Sequence, residues 1–291
     1  MKKFKILMPC YNDWPSIFEL LDNIDEEILE LKGEFSVLIV NDGSNEKMPE
    51  SKRVYKHIKS VEVINMKKNQ GHTRSNATGI RYLSKKENFD FLILMDGDGE
   101  DRPEEIKLLV NKVLKNENVS VVAKRVKRSE GIIFSILYNL HKLMTLVFTG
   151  RNMNFGHYSC LTKKDVDVIS SKESLWGNYS GTVKKFVSQL NNIPCVRGMR
   201  YVQPSKMSFI KLVIHSFSIL AVFRYQVLIR SIFFSIIFIL FTTNPITNFV
   251  ISGLIVFTTC VFIVSRRENI EELKNSENQI GNIISIYTKR L

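Results

Sequence analysis

The residues best suited to chemistry lie in one turn, Asp96-Gly97-Asp98-Gly99-Glu100-Asp101, at the end of the apolar run Phe91-Leu92-Ile93-Leu94-Met95. Two aspartates separated by one small residue can place one carboxylate on a hard divalent cation and the other on a sugar or ribose hydroxyl. Mg²⁺ and Mn²⁺ accept such oxygen ligands and keep waters and substrate phosphates in their shells. An acidic turn after a strand is as often a plain solvated loop. Gly97 and Gly99 favour the ligand reading, because glycine lets backbone approach a bound group closely.

Three further segments end apolar runs in the same way. Val40-Asn41-Asp42-Gly43-Ser44 sets a carboxylate beside a Gly-Ser turn that can hold a nucleobase or ribose edge. In Pro9-Cys10-Tyr11-Asn12-Asp13 the Tyr11 ring can lie against a base. Asn69-Gln70-Gly71-His72-Thr73-Arg74-Ser75-Asn76 is a turn entering a helix, with the Arg74 cation one turn in. Each is a common turn by itself. Their order, and their placement at successive strand ends, is informative.

The elements that position these turns are legible as apolar periodicity. Short apolar runs predict strands over residues 4–8, 35–41, 61–64, 91–96 and 119–123, and helical spacing predicts helices over 17–31, 74–84 and 106–115. Pro15, Ser16 and Pro103 sit where a first helical turn tolerates them. Near-continuous apolar strands alternating with helices predict an α/β protein with a mostly parallel, doubly covered sheet. Ligands of such sheets bind at the carboxyl ends of the strands, where the four segments fall.

Further on, 132–148 is a mixed apolar helix and 206–224 another with basic ends, suited to a membrane surface. Two long apolar segments, 229–243 and 246–264, flank Asn244-Pro245, and each is near the length that spans a hydrocarbon core. Arg224 and Arg230 precede this pair and Arg266-Arg267 follow it, while the turn carries no charge. The charge bias predicts a hairpin with both flanks in the cytoplasm, and Arg230 is placed to snorkel toward headgroups. The N-terminus reads as a first strand and not as a signal peptide, so the catalytic part is expected to stay cytoplasmic.

Bulk properties agree. The chain has 291 residues, enough for one catalytic domain and an appendage, and a net charge of +12 that suits phosphate-bearing partners. Its four cysteines are scattered, which disfavours a disulfide framework or zinc site. The basic residues gather near residue 125 and the membrane flanks, which disfavours a nucleic-acid partner. Self-association stays open.

Together PCYND, VNDGS, NQGHTRSNATGI and MDGDGEDRPEEI resemble family 2 glycosyltransferases of the GT-A fold, above all the polyprenyl-phosphate sugar synthases typified by dolichyl-phosphate mannose synthase. The resemblance spans residues 4–205, including Phe155-Gly156-His157-Tyr158-Ser159, and a trailing membrane hairpin is common in bacterial members. It implies a GT-A catalytic domain over 1–205, an amphipathic juxtamembrane helix over 206–225, a transmembrane hairpin over 226–265 and a cytoplasmic tail over 266–291.

The resemblance also implies roles. Pro9, Tyr11 and Asp13 would line the nucleotide pocket with Asp42 on the base; Gly71 and Arg74 would complete the nucleotide-sugar site. Asp96 would contact the sugar or ribose, while Asp98 and Glu100 would hold Mg²⁺ or Mn²⁺ on the diphosphate. Arg125 and Arg128 would grip a lipid phosphate, as the planar guanidinium fork does well. Glu100 stands where such synthases often have Gln, and Asp13 where the family more often has Glu. The arginine usual in the following helix is absent from 132–140, leaving His141 or Lys142 as substitutes.

The implied reaction is an inverting transfer from a nucleotide-sugar to a polyprenyl phosphate at the cytoplasmic face of a membrane that the chain spans twice. A hydroxyl acceptor is the alternative, and would need a base such as Glu173 or Asp101. A nucleotide- or lipid-binding adaptor that keeps the fold without the chemistry is the non-enzymatic one. His72 could touch phosphate; His57, His215 and Trp176 read as packing or surface residues.

Overall fold

A computed structural model of the chain describes residues 1–50, 53–127, 132–202, 209–242 and 245–289. Its centre is an eight-stranded sheet. In chain order the strands are β1 (Lys3–Cys10), β2 (Glu34–Asn41), β3 (Ile58–Met66), β4 (Phe91–Leu94), β5 (Ser120–Lys127), β6 (Phe155–Thr162), β7 (Leu190–Val196) and β8 (Ile280–Thr288). They lie in the order β7-β5-β6-β4-β1-β2-β3-β8. The block β4-β1-β2-β3 is parallel, as is β5 with β7, while β6 and β8 run antiparallel to their neighbours.

Both faces of the sheet are covered, which the alternation along each strand makes possible. On β1, Phe4, Ile6 and Met8 pack with α1 (Trp14–Glu27) and α3 (Ile106–Lys115), while Leu7 faces α2 (His72–Lys86). Phe4 stacks between Phe35 and Phe91 at 4.9 and 5.1 Å, tying three parallel strands at one end. The second face is completed by α5 (Lys163–Ser170) and α6 (Tyr179–Phe186). The expected α/β GT-A-like architecture is present.

Three strands lack an expectation from sequence. β6 carries Gly156, His157 and Ser159, and β7 carries Asn191, Asn192 and Pro194, so neither shows a clean apolar run. Pro194 is tolerated because β7 is an edge strand. β8 comes from the tail after residue 266, which therefore joins the sheet beside β3 and is not a mere appendage; Tyr287 donates to the Tyr55 carbonyl at 2.6 Å. β4 ends at Leu94, so Asp96 stands beyond the strand and not within it.

Helix α4 (Ile132–Thr149) precedes β6, and α7 (Phe209–Val222), α8 (Arg224–Phe241) and α9 (Pro245–Ser265) follow β7. α8 and α9 pair antiparallel: Thr258 donates to Ser231 at 2.9 Å, and Thr242 meets Thr247 at 2.7 Å near the turn. At 1.5 Å per residue they are about 27 and 31 Å long, against a hydrocarbon core of about 30 Å. Only 11% and 17% of their apolar windows are buried, which separates them from core helices of a soluble domain. Both are long and apolar enough to cross a membrane.

Phe148 of α4 packs on Phe234 and Phe257, so α4 braces the base of this hairpin. Arg230 does not snorkel outward. It donates to the Val147 carbonyl at 2.7 Å, capping the carboxyl end of α4, where Gly150 at φ +71° leaves room for the guanidinium. The boundary expected between 205 and 206 lies outside the described residues.

Candidate active site

The parallel register of β1, β2 and β4 sets their carboxyl ends side by side, and backbone bonds lock the turns that follow. The Asp42 amide donates to the Cys10 carbonyl at 2.8 Å, and that of Met95 to Leu7 at 3.1 Å. A Cβ on Gly97 would stand 2.6 Å from the Pro9 carbonyl oxygen, so only glycine lets the acidic turn lie against the end of β1. Pro9 thus contributes backbone to the crevice. Asn12, at φ +50°, accepts from the amides of Asn45 and Glu46, and its own amide donates to Ser44 at 2.9 Å. This stitching leaves Tyr11 exposed at the rim, while Asp13 accepts from Ser16 in the first turn of α1.

Asp42 is 2% exposed, and its two oxygens accept the amides of Gln70 and Gly71 at 2.7 and 2.8 Å. It clamps the end of β2 to the turn that opens α2, where Gly71 takes φ +89°. Burial pushes its carboxyl up, partly offset by these amides. The Arg74 guanidinium lies 5.1 Å over Trp176 and 3.4 Å from Glu272.

The acidic turn itself meets two kinds of cationic or polar neighbour. Asp96 is hydrogen-bonded to His72 Nε2 at 3.0 Å, and its amide donates to Asp101 at 2.9 Å. Asp101, 2% exposed, faces Arg125 at 3.8 Å, with Gly156 letting the guanidinium pass close. Asp98 pairs with Arg200 at 2.8 Å, and Glu100 pairs with Arg200 at 3.1 Å and with Arg197. The backbone after β7 lies across the turn: Gly198 donates to Glu100 at 2.8 Å and Tyr201 to Asp98 at 3.1 Å. Gly99, at φ +85°, accommodates the Tyr201 ring.

Arg197 and Arg200 escape the sequence reading because the strand presenting them does. Their signal is the basic Arg197-Gly198-Met199-Arg200 run ahead of the membrane helices. Arg125 reaches the cluster, whereas Arg128 lies outside the described residues. Three histidines line the wall toward α7: His72 is edge-on to His157 at 4.7 Å, and His157 lies 6.5 Å from His215.

The electrostatics follow. Burial and the neighbouring Asp96 charge lift Asp98 to about 6, and the same two causes lift Asp101 to about 8. Burial would also raise Asp96, but the hydrogen bond and charge of His72, then His157 and Arg125, hold it well below the usual range. His72 is raised because the bond to Asp96 and the surrounding carboxylates outweigh its partial desolvation, while burial drives His157 down to about 3. The turn thus sets four carboxyl groups, those of Asp96, Asp98, Glu100 and Asp101, against three guanidinium groups, those of Arg125, Arg197 and Arg200. Its oxygens therefore fit a divalent cation.

Comparisons agree with this geometry. Residues 5–171 match the model of glycosyl transferase family 2. The chain is 27% identical over 168 residues to an undecaprenyl-phosphate 4-deoxy-4-formamido-L-arabinose transferase of Photorhabdus laumondii, covering 56% of this chain and 49% of that one. It is 24% identical over 223 residues to the Klebsiella pneumoniae protein so named, covering 73% and 65%. The chain thus spans about half to two thirds of the length of these relatives. In fold it is similar to a glucosyl-3-phosphoglycerate synthase of Mycobacterium tuberculosis solved with Mn²⁺, UDP-glucose and phosphoglyceric acid, at TM-score 0.53 and 11% identity, covering 78% and 80% of the two chains. With more than half its length matched to the family model and its acidic turn at the strand ends, the chain belongs to glycosyl transferase family 2.

Proposed function

We propose that the protein is an inverting, metal-dependent glycosyltransferase that moves a sugar from a nucleotide-sugar to a polyprenyl phosphate, at the cytoplasmic face of a membrane spanned by α8 and α9. One observation carries the reading: the acidic turn and an exposed apolar hairpin belong to one rigid frame. Arg224, at the start of α8, pairs with Glu173 at 2.7 Å and with Glu268, just past α9, at 2.5 Å. β8 then returns to the sheet. Both ends of the hairpin are thereby tied to the catalytic layer, which supports a single orientation in the bilayer. The relatives' names support a polyprenyl-phosphate acceptor, and the neighbour's bound Mn²⁺ and UDP-glucose support the donor class.

In this reading Tyr11 and Asp13 border the nucleotide, and Asp42 holds the Gly71 turn that shapes its pocket. Asp96 accepts from a sugar or ribose hydroxyl. Asp98 and Glu100 would hold Mg²⁺ or Mn²⁺, which when bound neutralises charge gathering on the departing nucleoside diphosphate. Arg125, with Arg128 beyond the described residues, orients the acceptor phosphate. A phosphate oxygen forms the new bond to the anomeric carbon as the bond to the diphosphate breaks. The acceptor is already anionic at neutral pH, so no base is required. The two bases that a hydroxyl acceptor would need are engaged: Glu173 by Arg224, and buried Asp101 by the Asp96 amide.

Membranes containing the protein, incubated with a panel of nucleotide-sugars and either polyprenyl phosphate or hydroxyl acceptors, test this by mass spectrometry. A glycosyl phosphate lipid is expected. Product on hydroxyls alone would favour the alternative acceptor, and no turnover with any donor would favour an adaptor.

A further inference from the structure

Three of the chain's five histidines, His72, His157 and His215, gather on one side of the site, and the reaction proposed above uses none of them. Three donor atoms converge there. One ligand atom each from His72, Asp96 and His157 lies within 4.8 Å of the others, and the His72–Asp96 separation is 3.0 Å. Donors about 2.1 Å from a tetrahedral ion stand about 3.4 Å apart, so enclosing an ion requires a contraction of at most about 1.4 Å, within reach of small side-chain rotations. Each donor comes from a different segment of the fold: the first turn of α2, the turn after β4 and the start of β6.

The surroundings hold these groups in place. The His157 ring stacks on Tyr179 at 5.6 Å with 23° between planes. The Tyr179 hydroxyl meets Ser159 at 2.6 Å, and Ser159 donates to the His157 carbonyl at 2.7 Å. The Asp96 backbone is tethered by Asp101. The His72 side chain is 44% exposed, which gives an entry path and leaves further coordination positions to solvent or ligand. Asp98 and Glu100 face the other way, toward two guanidinium groups.

We propose that His72, Asp96 and His157 form a second divalent-cation site of two imidazoles and one carboxylate, selective for a borderline ion such as Zn²⁺ or Co²⁺ over Mg²⁺. The donor set carries the selectivity. Mg²⁺ demands hard oxygen ligands and octahedral geometry, whereas imidazole nitrogen suits the later transition ions. Occupancy would take up the Asp96 carboxylate. If the functional reading above holds, Zn²⁺ then slows Mg²⁺-supported transfer.

The binding test does not depend on that reading. The full-length protein in detergent, with millimolar Mg²⁺ present, is titrated with Co²⁺ and followed by visible absorption, which distinguishes four- or five-coordinate Co²⁺ from the aquo ion. The wild type is expected to give the intense low-coordinate spectrum, displaced by Zn²⁺. H157N and H72N should each weaken Co²⁺ binding at least about tenfold, while D98N keeps it. A wild-type spectrum of the aquo ion overturns the site outright. So does a low-coordinate spectrum unchanged in both histidine variants, or one lost in D98N but kept in them. Failure of Zn²⁺ to slow transfer, with binding intact, would count against the role of Asp96 in the reaction and not against the site.

Discussion

Asp96 and Asp98 are separated by one glycine and face opposite partners. Asp96 meets the imidazole of His72, with His157 beyond it, whereas Asp98 and Glu100 meet the guanidinium groups of Arg200 and Arg197. Imidazole can itself become a metal ligand, but guanidinium can only compensate charge and be displaced by a cation. On the reading proposed above, the two sides of the motif serve different uses: one would accept a nitrogen-tolerant ion, and the other would keep its oxygens for a hard cation that must compete with arginine. Gly97 creates the division by letting the turn pass beneath the Pro9 carbonyl.

The contrast can be broken at several points. D98A is expected to cost transfer about 10³-fold or more, roughly 4 kcal/mol of lost charge stabilisation, and to abolish its Mg²⁺ dependence. If D96A gave the same loss with the same change in metal dependence, the two carboxylates would share one role and the contrast would fail.

G97A acts on both sides together. Its Cβ meets backbone at 2.6 Å, so an overpacking cost of about 1–3 kcal/mol is expected. A thermal melt should show a drop of several degrees, and activity should fall with it. A melt within a degree of the wild type would mean that the turn is not held against β1.

The pH dependence sharpens the same comparison. Asp98 and Asp101 stand at about 6 and 8, above the ordinary aspartate value of about 3.9. These two groups make the folded state hold more protons and lose stability as pH rises. Burial, however, holds His157 at about 3 and His215 at about 4, so below roughly pH 6.5 the folded state forgoes histidine protons that the unfolded state binds, and the two effects offset. The net fall without metal is expected from about pH 6.5 to 8. Asp96, held low, acts in the opposite sense only below about pH 4. Melting temperatures between about pH 6.5 and 8 should decline in chelator, flatten on adding Mg²⁺, and decline less in D101N, which keeps an oxygen for the Asp96 amide. A flat profile in chelator would show that the arginines already balance the turn.

The smallest effect expected is that of R200Q. Removing the competing cation should tighten donor-free Mg²⁺ binding by about two- to fivefold, measured calorimetrically, in keeping with a partly exposed ion pair. Weaker Mg²⁺ binding would make Arg200 a support for the metal site and not its competitor.

Sequence reading recovers the parallel block and the acidic turn because each strand is an apolar run ending abruptly in polar residues. It misses β6 and β7, whose His157, Asn191, Asn192 and Pro194 break that pattern, and with β7 it misses Arg197 and Arg200. β8 pairs with β3 from more than 200 residues away, as Asn65 with Asn282, and nothing local signals such a pairing. Motif position also says less than contact geometry about roles. Asp42, read as a base contact, also clamps the Gly71 turn, and Arg74, read as a pocket cation, lies over Trp176. His72 reads as a phosphate contact yet stands on Asp96.

The central claim is tested most directly by the linkage in the product. Purified protein would be supplied with Mg²⁺, its nucleotide-sugar and polyprenyl phosphate, and the lipid product examined by NMR. A sugar joined through its anomeric carbon to the lipid phosphate, with configuration opposite to that in the donor, is the predicted result. Retained configuration, or a sugar carried on a hydroxyl while polyprenyl phosphate goes unused, would contradict it.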